Sequence, residues 1–293
     1  MVPMALDAAG TTTLAGHEVP RLGYGTMRLT GPKIFGPPAD PDEARRVLRR
    51  AVELGVRAID TAWYYGPDVA DELVAQALRP YPEDLVLVTK LGGARRPDAS
   101  WVAALTPEEL RAGAERDLRL LGVEQVPVAH LRWMPGAEVD FPEALDAMTA
   151  LVDDGLIGAV GLSNVDLDQL ELAQRRTTVA CVSNAYGLLD RSAEDLVQHC
   201  AATGIPFLPF FPLGATPGGP SAVATDARLD ELTARTGATR TQLALAWLLH
   251  HSPALLPIPG TSSVAHLEEN LGAADLRLDA DVLAELDALV PPA

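Results

Sequence analysis

The chain alternates eight times between a short apolar run and a longer segment with helical periodicity. The apolar runs cover residues 21–27, 56–62, 84–90, 126–133, 157–164, 179–186, 206–213 and 255–261. Runs that are apolar almost throughout are typical of parallel strands covered by helices. Eight successive βα units favour a closed barrel, because an open doubly wound sheet usually has fewer strands on each side of a switch point. The sequence therefore predicts an α/β fold, with residues 1–293 in a single (β/α)8 TIM-barrel domain.

Local signals support the helices between these runs. An N-cap oxygen stands three residues before a Glu or Gln in three pairs, Thr106 with Glu109, Asp140 with Glu143, and Thr239 with Gln242. Glycines that follow helical patterns predict helix ends at Gly55, Gly122, Gly155 and Gly204. We also expect a β-hairpin over 11–20 at the barrel floor, an inserted helix over 226–236 before the helix over 239–251, and a last helix over 279–290.

Charge and composition exclude several classes of protein. The 23 Lys and Arg residues against 40 Asp and Glu residues give a net charge of −17, which disfavours nucleic acid and anionic membranes as partners. The first residues lack the basic and apolar regions of a signal peptide, so we expect a cytoplasmic protein. Cys181 and Cys200 are too few and too widely spaced for a disulfide scaffold or a metal site, and the six His residues show no metal-ligand pattern.

Ionisable side chains follow the apolar runs at the ends where the active sites of such barrels lie. Asp60 and Tyr65 follow the second run, Lys90 ends the third, and Arg132 lies near the end of the fourth. A tyrosine hydroxyl releases its proton poorly at neutral pH, and a nearby ammonium group stabilises the phenolate. Asp60 would hold Lys90 charged and leave Tyr65 as a general acid, which is chemistry suited to reduction of a carbonyl group.

Five segments resemble successive signatures of the aldo-keto reductases. They are DTAWYYG at 60–66, VTK at 88–90, GLSN at 161–164, FPLG at 211–214 and IPGTSSVAHLEEN at 258–270. Further stretches, at 31–38, 98–101, 209–214 and 259–267, resemble the bacterial pyridoxal reductase branch of that family. The resemblance implies a barrel that binds NADP(H), with Asp60, Tyr65 and Lys90 as three members of a catalytic tetrad.

The fourth member of that tetrad differs from the common pattern. Most of the family carries His at the position of Arg132, and His130 lies two residues earlier on the same face of the strand. The resemblance to the pyridoxal reductase branch favours Arg132, with His130 as the alternative. A guanidinium group stabilises an alkoxide but does not exchange a proton near neutral pH.

The resemblance also implies the cofactor positions. Ser163 and Asn164 would bind the carboxamide, Phe210 would stack on the nicotinamide, and Ser183 stands where relatives usually carry Gln. Near the 2′-phosphate, Gly260 replaces a common Lys and His266 a common Arg, so His266 is the only obvious cation there. The hydroxyls and amides of Thr261, Ser262 and Ser263 at a helix start favour NADPH, and the scarcity of cations weakens discrimination against NADH. The full expected set is Thr26, Met27, Ser163, Asn164, Ser183, Phe210, Phe211, Leu213, Gly214, Gly260, Thr261, Ser262, Ser263, His266, Glu269 and Asn270.

The substrate mouth is expected to be apolar and aromatic, with Phe35, Trp63, Trp101, Trp133 and Met134 lining it beside Met27. Such a wall suits a flat ring and favours reduction of pyridoxal to pyridoxine. Two alternatives stay open, because fold does not fix function. One is a ketoreductase or imine reductase of secondary metabolism, and the other is a nucleotide-sensing module with little turnover. The sequence leaves the oligomeric state open.

Overall fold

The computed structural model describes residues 6–214 and 221–290. The chain opens with an antiparallel hairpin of β1 (Thr11–Leu14) and β2 (His17–Pro20). Six parallel strands follow in the order of the chain: β3 (Tyr24–Gly25), β4 (Ala58–Asp60), β5 (Val86–Arg95), β7 (Val128–Arg132), β8 (Val160–Ser163) and β9 (Val179–Ser183). Strand β6 (Trp101–Ala104), which the sequence does not predict, folds back antiparallel on the end of β5.

Segments 206–213 and 255–261 complete the barrel through isolated bridges instead of regular strands. The Leu208 amide donates to the Val182 carbonyl at 2.7 Å, and the Phe207 amide donates to the Ala254 carbonyl at 2.8 Å. Gly23 then closes the circle by donating to the Pro257 carbonyl at 2.9 Å. Each segment contains prolines, which have no N–H to donate and so interrupt the ladder. The predicted (β/α)8 barrel is confirmed, and two of its eight strands are reduced to bridges.

Eleven α-helices are present in the described residues. They are α1 (Pro41–Glu53), α2 (Val69–Leu78), α3 (Pro107–Leu121), α4 (Phe141–Asp153), α5 (Leu167–Gln174), α6 (Glu194–Thr203), α7 (Ala222–Thr225), α8 (Asp230–Thr236), α9 (Arg240–His251), α10 (Val264–Leu271) and α11 (Ala280–Ala288). Short 3-10 helices lie at Asp7–Ala9, Thr26–Leu29, Pro32–Ile34, Ala227–Leu229 and Gly272–Asp275. The first predicted strand, over 21–27, is therefore too long, because a 3-10 turn begins at Thr26.

The capping signals of the sequence are largely confirmed. Both halves of the capping box form at Thr106 with Glu109 and at Thr239 with Gln242. At Asp140 only the N-cap half is described, the side chain accepting from the amide of the third helical residue. The four glycines expected to end helices all have positive φ, between 66° and 100°, namely Gly55, Gly122, Gly155 and Gly204.

Two apolar layers follow from the two-residue alternation of the strands. Residues 58, 86, 88 and 128 belong to a cluster inside the barrel, whereas Ile59, Leu87 and Ala129 belong to the layer beneath the helices. Leu14 and Val19 of the hairpin are fully buried in the inner cluster, so the hairpin closes the barrel floor. Among the described residues, no helix combines the length and apolarity that a membrane crossing needs.

Candidate active site

The strand alternation that buries the inner cluster also aims the polar side chains inward. Asp60, Lys90 and His130 share the parity of the inner apolar residues, and Arg132 lies two residues further toward the rim. Lys90 and His130 are register partners on β5 and β7, and Arg132 is paired with Ser163 on β8. These groups therefore lie at the carboxyl ends of neighbouring strands, where barrel enzymes place their chemistry.

Asp60 and Lys90 form a buried ion pair between Oδ1 and Nζ, with only 4% and 1% of the two residues exposed. The Lys90 Nζ lies 5.3 Å from the centre of the Tyr65 ring. Burial lowers the pKa of Lys90, but the Asp60 carboxylate and the Tyr65 hydroxyl outweigh burial and raise that pKa above its ordinary value. Lys90 is therefore held as an ammonium group beside Tyr65.

His130 lies one layer below Arg132 and is fully buried. Its Nε2 contacts the Cys181 Sγ at 3.1 Å, and its Nδ1 lies 4.0 Å from the Asp60 Oδ2. Burial, together with the charges of Lys90 and Arg132, lowers the pKa of His130 well below its ordinary value, so the imidazole is neutral. This residue is a barrel-interior histidine that faces the Asp60 side of the ion pair.

Arg132 instead lies on the wall of a cavity of about 240 Å³. One guanidinium nitrogen, Nη1, donates to the Ser163 Oγ at 3.3 Å, and the guanidinium carbon lies 5.3 Å from the centre of the Phe210 ring. Arg132 and His130 were the two candidates for the fourth position of the tetrad. Among the described residues that line the cavity, Arg132 is present and His130 is not.

The structure brings eleven of the expected residues to the cavity wall. They are Met27, Asp60, Tyr65, Lys90, Trp101, Arg132, Met134, Phe210, Phe211, Leu213 and Gly260. Seven other residues also line the wall without having been expected there, namely Gly25, Arg28, Ile34, Tyr64, Pro212, Ile258 and Pro259.

Three residues expected in the substrate pocket are absent from this wall and make other contacts, and their role in binding substrate stays a prediction. The ring of Trp63 stacks under the Arg116 guanidinium at 4.5 Å, on the side of α3. Trp133 has the opposite strand parity to Arg132, and its ring packs against Phe141 at 5.5 Å between centres. Phe35 lies 5.6 Å below the guanidinium of Arg95.

Thr26, an expected cofactor residue, uses its side chain inside the fold. Its hydroxyl donates to the Thr61 Oγ1 at 2.9 Å, and Thr26 is fully buried. The neighbouring Met27 and Arg28 line the cavity instead.

Tyr64 is the aromatic residue that the sequence argument missed. Its ring makes edge contacts with Tyr65 and Trp101, at 5.3 Å and 5.6 Å between centres. The ring fits there because Gly93 has no side chain; a Cβ at that glycine would stand 3.3 Å from the tyrosine ring. Its buried hydroxyl has no hydrogen-bond partner among the described residues. The only sequence signal was its position directly before Tyr65.

The residues expected near a nicotinamide ring lie together at the ends of β8 and β9. Ser163 and Ser183 are register partners and fully buried. The Ser183 hydroxyl lacks a hydrogen-bond partner in the part of the chain that the structure describes. Asn164 has a φ of 61° and donates through Nδ2 to the Trp133 carbonyl at 2.8 Å, which fixes the turn after β8.

The eighth segment leads into α10 at one end of the cavity. Thr261 accepts from the Ser263 amide at 3.2 Å through its Oγ1, while Ser262 and His266 are exposed. Glu269 does not turn to open solvent, because its carboxylate accepts from the Thr239 hydroxyl at 2.7 Å. Asn270 is 5% exposed.

A second cation stands at this end of the cavity. A Cβ at Gly260 would lie 3.5 Å from the Arg28 Cγ, and both residues line the wall. Arg28 is therefore a basic residue near this loop in addition to His266.

A buried pair of carboxyl groups lies behind the site, where Asp71 of α2 meets Asp117 of α3. The Asp71 Oδ1 accepts from the Thr61 hydroxyl at 2.6 Å, and the Asp117 Oδ1 accepts from the Trp63 amide at 3.2 Å. Burial raises the pKa of Asp71 to about 6, and burial with the neighbouring Asp71 raises the pKa of Asp117 well above its usual range. The pair therefore retains a proton and supports the turn that carries Tyr65.

Replacing Asp117 with Asn is expected to stabilise the protein increasingly as pH rises. Raised pKa values mean that the folded state binds more protons than the unfolded state, so stability falls from about pH 4 upward. The Asn amide keeps the acceptor for Trp63 and supplies the missing donor. We expect its advantage over the parent to grow by about 1–3 kcal/mol between pH 5 and pH 8, measured by urea unfolding. Glu115→Gln, on the exposed face of α3, should show no such growth, and a pH-independent difference for Asp117→Asn would contradict the shared proton.

Comparison with known proteins agrees with this architecture. The model of the Aldo/keto reductase family matches residues 21–291. Pyridoxine 4-dehydrogenase of Escherichia coli is 43% identical over 96% of this chain and 99% of its own length. An aldo-keto reductase from Klebsiella pneumoniae, solved in complex with NADPH, has a TM-score of 0.81 and 28% identity over 97% of this chain and 95% of that one. A thermostable aldo-keto reductase solved with the inhibitor epalrestat has a TM-score of 0.81 and 31% identity over 96% of this chain and 99% of that one.

Proposed function

The chain belongs to the aldo/keto reductase family, and from this premise we propose that it reduces an aldehyde with NADPH, pyridoxal being the preferred substrate. The observation that carries the proposal is the buried Asp60–Lys90 pair beside Tyr65, on the wall of an apolar cavity that also holds Arg132. The similarity to pyridoxine 4-dehydrogenase supports the choice of a B6 aldehyde.

The described residues fit NADPH at both ends of the cavity. The buried Ser183 hydroxyl, without a partner among those residues, would be satisfied by a polar group of a bound molecule. The cavity wall continues from Arg132 past Phe210 and Phe211 to Gly260, just before α10. Ser163, Asn164, Ser183 and Phe210 would hold the nicotinamide, and the remainder would lie along Leu213, Gly214, Thr261, Ser262, Ser263, His266 and Asn270. NADPH would supply the hydride.

The chain's own groups would manage the proton and the developing charge. Tyr65 donates its phenolic proton to the carbonyl oxygen as the alkoxide forms, and Lys90 stabilises the phenolate that this leaves behind. Asp60 keeps the ammonium of Lys90 charged and aimed within the barrel. Arg132 faces the same cavity as a fixed positive charge and lowers the energy of the alkoxide without exchanging a proton.

The cavity wall supports a flat aromatic substrate. Tyr64, Trp101, Met134 and Phe210 present ring and thioether surfaces, against which an aromatic ring packs favourably. Tyr65, Lys90 and Arg132 add hydrogen-bonding groups to the same wall. A pyridine ring with polar substituents matches this combination better than an aliphatic ketone does.

We expect the purified protein to consume NADPH when pyridoxal is added, with kcat/KM at least about tenfold above that for propanal, a difference of about 1.4 kcal/mol in transition-state binding. The measurement is the loss of reduced-nicotinamide absorbance, with NADH run in parallel. Turnover of ketones or cyclic imines that exceeds turnover of pyridoxal would replace the proposed substrate. Tight NADPH binding with no turnover of any carbonyl compound would favour the nucleotide-sensing alternative.

A further inference from the structure

Helix α10 begins with a carboxylate from another part of the chain already bound to it. The Val264 amide, the first of the helix, donates to the Glu43 Oε1 at 3.1 Å. Ser263 holds the N-cap position of α10, yet its side chain makes no capping hydrogen bond among the described residues. Glu43 therefore supplies the anion that the helix start attracts.

Glu43 is placed there by the geometry of α1. It is the third residue of that helix, and its amide donates to the side chain of Asp40, which caps α1. Further along the two helices, the Arg50 Nε donates to the Glu268 Oε1 at 2.8 Å. Contacts at the start and in the middle of α10 thus hold α1 alongside it, so the position of the Glu43 carboxylate is part of the fold.

Carboxylates outnumber cations where α1 meets this helix start. Arg46 pairs with Glu43 at 2.8 Å and lies 3.7 Å from Asp40, so one cation stands between two carboxylates. The hydrogen bond from Val264 and the neighbouring Arg46 lower the pKa of Glu43, which keeps it ionised at neutral pH. Arg28 lies beside Gly260 in the loop before α10, and His266 is exposed on the first turn of α10.

We propose that Glu43 is a cofactor-selectivity residue: by occupying the start of α10, its carboxylate weakens binding of the 2′-phosphate of NADPH relative to the 2′-hydroxyl of NADH. The proposal rests on the proposed function, in which residues 261–263 hold that phosphate directly before Val264. A phosphate dianion placed there shares the positive end of α10 with a carboxylate and is repelled by it. NADH carries no charge at that position, so its affinity is insensitive to Glu43.

Glu43→Gln separates charge from structure, because the Gln side chain keeps an oxygen for the Val264 amide. We expect the Kd for NADPH to fall about tenfold, and the Kd for NADH to change by less than about twofold. The measurement is isothermal titration calorimetry with NADPH, NADH and two fragments, adenosine 2′,5′-bisphosphate and adenosine 5′-monophosphate. The bisphosphate should follow NADPH and the monophosphate should follow NADH, without any dependence on turnover.

Glu53→Gln is the matched control, since it removes one negative charge at the opposite end of α1. It should leave all four affinities unchanged. Equal tightening of both cofactors by Glu43→Gln, no change, or weaker NADPH binding would overturn the proposed role of Glu43. Failure of the parent protein to bind any of the four molecules would instead overturn the cofactor assignment and the inference with it. The two failures are therefore distinguishable in one set of titrations.

Discussion

Tyr65→Phe is expected to lower kcat for carbonyl reduction by about 10³-fold, while the Kd for NADPH stays within about twofold of the parent. The change removes only the hydroxyl that would protonate the carbonyl oxygen. The ring remains to cover Lys90, whose Nζ lies 5.3 Å from its centre. Because Lys90 and Asp60 hold each other within the barrel, their pairing should survive the substitution.

Tyr64→Phe is the appropriate comparison for that variant. It removes a neighbouring hydroxyl from the same cavity wall, at a ring 5.3 Å from the Tyr65 ring. Steady-state kinetics with pyridoxal and NADPH titrations are measured on both variants. We expect Tyr64→Phe to lose less than about tenfold in kcat, since an unpartnered hydroxyl contributes binding and not proton transfer. Equal losses in the two variants would contradict the role of Tyr65 as general acid.

The sequence predicted the barrel because the evidence for it is repeated. Eight apolar runs, each separated by a helical pattern, give the same answer independently, and strand parity then aims Asp60, Lys90 and Arg132 inward. The same alternation places His130 one layer deeper than Arg132. The sequence left His130 as the alternative for the fourth position of the tetrad. The prediction of regular strands over 206–213 and 255–261 was wrong. The prolines of these segments limit hydrogen bonding without changing the path of the chain.

Pocket residues in loops were predicted less well, because the two-residue alternation ends with the strand. Trp63 and Tyr64 lie in the loop after β4, and sequence alone gave no reason to prefer one over the other. Packing decides it: Gly113 of α3 leaves room for the Trp63 indole, and Gly93 leaves room for the Tyr64 ring. Both glycines lie far along the chain, so the choice depends on tertiary contacts. The antiparallel pairing of β6 with the end of β5 also depends on tertiary contacts, and the sequence did not predict it.

The contact between Glu43 and Val264 shows the same limit at larger separation. The two residues are 221 positions apart, and the first half of the chain offers Glu43 only as an ordinary acidic residue in the first turn of a helix. Only the packing of α1 beside α10 makes the same carboxylate available to a second helix start.

Lys90→Met is expected to destabilise the protein by about 3–5 kcal/mol and to abolish measurable reduction. The loss of activity follows from removing the cation beside Tyr65. The loss of stability follows from Asp60, which is 4% exposed and has no other cation in hydrogen-bonding contact among the described residues. The nearest alternative, His130, stands 4.0 Å from its Oδ2, which is too far for a hydrogen bond, and burial and the charge of Arg132 still lower its pKa in this variant.

The double variant Asp60→Asn with Lys90→Met tests whether the buried charge itself is the cause. Removing both members leaves a neutral amide beside an apolar chain, so most of the stability should return while activity stays lost. Urea unfolding of the parent, both single variants and the double variant measures the coupling between the two residues. Additive losses would mean that each side chain acts through packing alone. A large coupling free energy between the two substitutions would show that Asp60 and Lys90 act as a unit. The presence of this buried pair would then be explained by Tyr65, which needs a fixed cation beside it.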